Sequence, residues 1–102
     1  MVLWYNLSMA FDLGFLPEAD DDMNRIEADP SLTHVVEAVN LTLGRIELDP
    51  GDRRLRTRQF QTSGLHDKRM TQVGVGEWHV FWQTTDEPTE LVILRVVETP
   101  AP

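Results

Sequence analysis

A chain of 102 residues with 41% hydrophobic side chains, three Trp and four Phe can build one compact core and has no room for a second, so residues 1–102 read as a single domain. The absence of cysteine excludes disulfides and thiolate metal sites, and no apolar run approaches the roughly 20 residues needed to cross a bilayer. The net charge of −8 argues against a protein that grips nucleic acid over its whole surface, yet residues 1–50 hold ten acids against two bases while residues 51–102 hold seven of each. A local basic face in the second half stays open. Met1-Val2-Leu3-Trp4-Tyr5 lacks the basic region of an export signal, and the expected location is cytoplasmic.

In chain order, Val2 to Leu7 is short, aromatic and branched, and reads as a first strand apolar on both faces. Ser8 to Leu16 is ambiguous, with Phe11, Phe15 and Leu16 at helical spacing but Gly14 and Pro17 interrupting. Pro17 suits the first turn of a helix, and Glu18, Asp20, Asp21 and Asp22 lie where a helix N-terminus favours negative charge. A second helix is predicted over residues 29–48: Asp29 caps it, Pro30 takes the first position, and Leu32, Val35, Val36, Val39, Leu43 and Ile46 form one apolar stripe. Asp49-Pro50-Gly51 ends it.

The period then switches. Arg54, Arg56 and Arg58 alternate with Leu55, Thr57 and Gln59, which predicts a strand with three guanidinium groups on one face. Residues 61–67 read as a loop around Ser63-Gly64, 68–75 and 78–83 as two further strands joined by a turn at Gly76-Glu77, and 91–97 as a strand apolar on both faces, placed inside the sheet with Val92, Leu94 and Val96 buried. Residues 99–102 read as a frayed tail. The fold class is therefore α+β, with a largely antiparallel sheet and two helices packed on one face.

Four Arg in six residues, Arg53-Arg54-Leu55-Arg56-Thr57-Arg58, could follow a polynucleotide backbone, or could be a solvated strand face paired with the acidic helices. His34, His66 and His79 show no metal-ligand spacing, so no metal and no cofactor is expected. His79 sits on a strand beside Glu77, where an imidazole can move protons near neutral pH. Trp78 and Trp82 share a face and read as core rather than as base-stacking platforms. No Gly-rich phosphate loop and no activated nucleophile is present.

The helix running into Asp49-Pro50 and then an Arg-rich strand, the stretch Arg69-Met70-Thr71-Gln72-Val73-Gly74-Val75-Gly76-Glu77-Trp78-His79-Val80-Phe81-Trp82, and Leu91-Val92-Ile93-Leu94-Arg95-Val96 together resemble the RelE/ParE family of small toxins from bacterial toxin–antitoxin pairs. The resemblance implies a β-α-α-β-β-β order, an antitoxin partner, and for RNA-cleaving members RNA or the ribosome as target. Transferred by position, Arg69 and His79 are the implied catalytic residues, and Arg54, Arg56, Arg58 and Lys68 the implied phosphate-binding set. The chemistry would be metal-independent attack of a ribose 2′-hydroxyl on the neighbouring phosphate. Two features depart from the family: no His, Arg or Tyr follows Arg95, and the chain is acidic. Catalysis is accordingly expected to be weak or absent. Inhibition of a topoisomerase, and a non-catalytic protein-binding module or degenerate toxin on the same scaffold, are the alternatives.

Overall fold

The structure, a computed structural model, describes residues 3–5, 11–60 and 68–99. Strand β1 (Leu3–Tyr5) pairs with β2 (Asp12–Phe15); helix α1 (Pro17–Glu27) follows, then a 3₁₀ turn (Pro30–Leu32) that runs into α2 (Thr33–Leu48). Strands β3 (Thr57–Phe60), β4 (Lys68–Gln72), β5 (Trp78–Thr84) and β6 (Glu90–Glu98) complete one sheet in the order β1-β2-β6-β5-β4-β3. Every pairing is antiparallel except β2 with β6. No helix among the described residues is long and apolar enough to cross a membrane.

Several expectations need revision. The stretch left open between strand and helix contains β2, because Leu13 and Phe15 alternate into the core while Gly14 faces Val92 of β6. The first strand, read as apolar on both faces, lies at an edge of the sheet formed by the described residues. Asp29 does cap, accepting from Ser31 N–H at 3.0 Å, but what it caps is the 3₁₀ turn preceding α2. At the C-terminal end Thr99 is not frayed: its N–H bonds the Glu77 carbonyl at 2.9 Å. The loop around Ser63-Gly64, His66, and residues 100–102 lie outside the described residues.

Both helices lie over one face. On α1, Ala19, Met23 and Ile26 form a buried stripe, and on α2, Val35, Val39, Leu43 and Ile46 do the same. They close over Leu13, Phe15, Val80, Trp82, Leu91, Ile93 and Val96 of the sheet. Trp82 carries a polar N–H into this core, and it is satisfied: Nε1 donates to Thr71 Oγ1 at 2.9 Å, which lies 2.7 Å from Thr57 Oγ1 across the β3–β4 pair.

β6 is central as expected, but a bulge between Phe81 and Trp82 in the β5–β6 register leaves Leu94 unpaired. The alternation slips there by one residue. Val92 and Val96 are buried as expected, but Leu91, Ile93 and Val96 are the residues that reach the core, and Leu94 is only half-buried. Beyond the bulge the Val96 N–H is met by the carboxylate of Asp22 on α1 at 2.9 Å, and Arg95 binds the same carboxylate through Nε at 2.7 Å and Nη2 at 3.0 Å. Arg25 adds a third partner at 2.6 Å. Burial by itself would raise the Asp22 pKa, but the Arg95, Val96 and Arg25 hydrogen bonds together outweigh it and hold the group below its ordinary 3.8.

Ile93→Ala is expected to cost about 2–5 kcal/mol and Leu94→Ala about 1 kcal/mol or less, a contrast measurable by urea denaturation. Asp22→Asn should cost on the order of 2–3 kcal/mol, less than a fully buried pair because Arg95 is half exposed to solvent. Since the folded pKa is depressed, the stability difference between wild type and Asp22→Asn should be constant above about pH 5 and shrink as pH falls through and below 3.8. A difference that grows in acid would contradict this assignment.

Candidate nucleic-acid interface

Register decides which candidate side chains meet. β4 and β5 pair without a shift, Arg69 opposite Trp82 and Gln72 opposite His79. Trp82 is wholly buried under the helices, so Arg69 shares that side of the sheet, with its guanidinium carbon 5.0 Å from the Trp82 ring centroid. His79 is three residues from Trp82 on the same strand and so faces the opposite way. The two residues implied as catalytic are thus separated by the thickness of the sheet.

On the face away from the helices, the segment before β3, the end of β4 and the start of β5 enclose an open cleft of about 650 Å³. Its polar walls are Arg53, Arg56, Arg58, Gln72, Glu77 and His79. Arg56 and Arg58 are two residues apart, and Arg56 extends the pairing of β3 by accepting from the Gln72 N–H at 2.9 Å. Both arginines are exposed, as is Arg53. Three guanidinium groups face one carboxylate, that of Glu77, among the lining residues. Such a concentration of forked donors within one cleft is suited to the oxygens of a phosphodiester backbone.

The remaining members of the expected phosphate-binding set divide. Lys68 lies on the same face as Met70 and Gln72 by alternation, at the far end of β4, where it is exposed. Arg54 is not on a strand. It belongs to the turn before β3, and its Nε and Nη2 clamp the Asp52 carboxylate at 2.7–3.2 Å. Asp52 also accepts from the Arg54 backbone N–H at 2.9 Å, and these hydrogen bonds, the side-chain ones first, pull its pKa down to about 2. A guanidinium so engaged fixes the turn that presents Arg56 and Arg58.

His79 is buried at the end of the cleft, and two partners lie near its Nδ1: the Glu77 carbonyl at 2.7 Å and Thr99 Oγ1 at 2.8 Å. A carbonyl oxygen only accepts, so Nδ1 must carry the proton, and Nε2 is left as the ring's acceptor in the neutral form. Gln72, Glu77 and Thr99 enter the site through sheet pairing. Nothing in their spacing announces it, since Gln72 and Thr99 come from strand ends far apart in the chain. Among the described residues, no group of three or more His, Asp or Glu could hold a metal ion.

No family model matches the chain, and no curated protein matches it. Among solved structures, it is similar to a chain of the archaeal RelE–RelB complex from Pyrococcus horikoshii, with a TM-score of 0.66 over 88% of this chain and 96% of that one. The identity is 11%, so what the two share is the fold, and the chain has a RelE-like architecture.

The geometry at His79 has a direct check. Two-dimensional ¹H–¹⁵N spectra optimised for imidazole should show the neutral ring protonated at Nδ1; a ring protonated at Nε2 would remove the Glu77 carbonyl as its anchor.

Proposed function

We propose that the chain is the toxin component of a toxin–antitoxin pair and that it acts on single-stranded RNA through the Arg53–Arg56–Arg58 cleft. The observation that carries the reading is the coincidence, on the helix-free face of a RelE-like sheet, of three exposed guanidinium groups and one fixed imidazole. The neighbouring structure is a complex of RelE with RelB, which supports a protein partner of the RelB kind for this chain.

In this reading Arg56 and Arg58 hold the phosphate and Arg53 the adjoining nucleotide, while Lys68 extends the track along β4. The reaction is attack of a 2′-hydroxyl oxygen on the adjacent phosphorus, forming the O2′–P bond and breaking P–O5′. A 2′,3′-cyclic phosphate and a 5′-hydroxyl result. Nε2 of His79 takes the 2′-proton, solvent supplies the proton to O5′, and the arginines stabilise charge on the non-bridging oxygens. Arg69 has no place in this scheme because it lies on the other face. A second reading, RNA binding without cleavage, is favoured by the burial of His79, which limits how closely a ribose can approach the ring.

Fluorescence titration with a single-stranded RNA should show affinity falling steeply with salt, and Arg56→Gln with Arg58→Gln should make the slope of log K against log salt shallower by about 0.7 per lost contact. Affinity that ignores both salt and these substitutions would sink the interface. If cleavage occurs, it should persist with a chelator present, fall about 10²–10⁴-fold in His79→Gln, and be unaltered in Arg69→Met. Binding without cleavage in the wild type would select the second reading.

A further inference from the structure

A second cleft, of about 450 Å³, opens on the helical side of the molecule between α1, α2 and β2. It differs from the first in sign and in lining. Leu13, Phe15, Met23 and Leu43 make it apolar, Asp20 and Glu27 stand at its α1 wall, and no Lys or Arg contributes. At its α2 wall is Glu47, which is buried with 2% exposure and whose Oε2 has no hydrogen-bond partner among the described residues. Burial, and then the charge of Asp12, push the Glu47 pKa up. A carboxylate so placed costs the fold free energy that a positive donor at Oε2 would offset.

The surface beside this cleft carries a second anomaly. Gly44 lies inside α2, in its last third, where glycine is about 1 kcal/mol worse than alanine, yet a Cβ there would meet nothing within 4 Å. The fold itself has no steric use for the glycine. Gly44 lies between Leu41 and Leu48 on the helix surface, and these are the exposed large hydrophobic residues of the described chain. An apolar shoulder with a shallow saddle at Gly44 therefore borders a pocket that ends in a buried acid, one of whose oxygens has no hydrogen-bond partner among the described residues.

We infer that this cleft receives an arginine or lysine side chain from a partner polypeptide, its aliphatic stem along Leu13, Met23 and Leu43 and its cationic head at Glu47, with apolar flanking residues of the partner on Leu41 and Leu48. Such a side chain matches both halves of the cleft, since it buries its methylenes while donating at the tip. A metal ion does not fit, because no group of three or more candidate ligands gathers among the described residues. A free small amine would leave the leucine shoulder uncovered. The inference stands on the acidic cleft alone and does not depend on the RNA reading of the opposite face.

The test uses the full chain and two short amidated peptides, one with arginine between leucines and the other with uncharged, isosteric citrulline in its place. The arginine peptide should bind saturably and shift the backbone amide resonances of Asn40, Gly44 and Glu47, and the citrulline peptide should bind about tenfold or more weakly. Glu47→Gln should raise the thermal midpoint of the free protein while abolishing the preference for arginine. Gly44→Ala should likewise raise the midpoint and weaken binding of both peptides. These opposed effects separate a docking role from the alternatives, because a merely structural Glu47 would lower stability when replaced and a Gly44 without a docking role would leave the binding of both peptides unchanged. Equal binding of the two peptides, resonance shifts confined to the Arg56–Arg58 cleft, or no saturation would overturn the inference. So would self-association that Glu47→Gln abolishes, since the occupant would then be a second copy of this chain.

Discussion

Much of the molecule's organisation depends on one carboxylate. Where β2 gives way to α1, β6 continues without that neighbour, and the exposed side of its ladder would place a backbone donor in a protein interior. Asp22 meets that donor at Val96 and simultaneously binds Arg95, so a side chain on α1 stands in for the missing strand. The buried carboxylate is stable only because its oxygens accept from several groups at once. Its partners come from the helix and from the bulged strand, and their agreement fixes the height and rotation of α1 over the sheet.

From that fixed point both clefts follow. Asp20, Met23 and Glu27 lie on the same helix as Asp22, so anchoring it also sets the α1 wall of the acidic cleft. In the other direction, β6 runs past the bulge to Thr99, whose N–H and hydroxyl meet the Glu77 carbonyl and the His79 ring. The imidazole in the basic cleft is thus oriented by the end of the strand that Asp22 holds. The sheet between them keeps the two clefts, one basic and one acidic, on opposite faces.

The charge asymmetry along the chain now has a spatial form. The acid-rich first half supplies α1 and α2, and three arginines of the second half, Arg53, Arg56 and Arg58, line the helix-free side. An overall charge of −8 is therefore compatible with a basic cleft, because over a Debye length of about 8 Å at physiological salt a bound anion senses chiefly the groups around it.

The sequence by itself determined whatever depends on local periodicity and local stereochemistry. The 3.6-residue stripe from Val35 to Ile46, Pro17 opening α1, Asp49-Pro50-Gly51 closing α2, and the apolar run at 91–97 are each written in consecutive residues, and the α+β class with its central β6 follows from them. What only the tertiary structure decided is whatever depends on register and on contacts between distant segments. A bulge at Leu94 is invisible in composition, yet it reverses the alternation, so that Leu91 and Ile93 reach the core before it and Val96 after it while Leu94 is left half-buried. Arg69 and His79 look adjacent in a hairpin read as text. The β4–β5 register places them on opposite faces, because side chains alternate with a period of two and the pairing partner, not the sequence distance, sets the side. Arg54 shares its spacing with Arg56 and Arg58 but is held in a turn by Asp52, and Glu47 is one acid among seventeen until α1 and β2 fold over it.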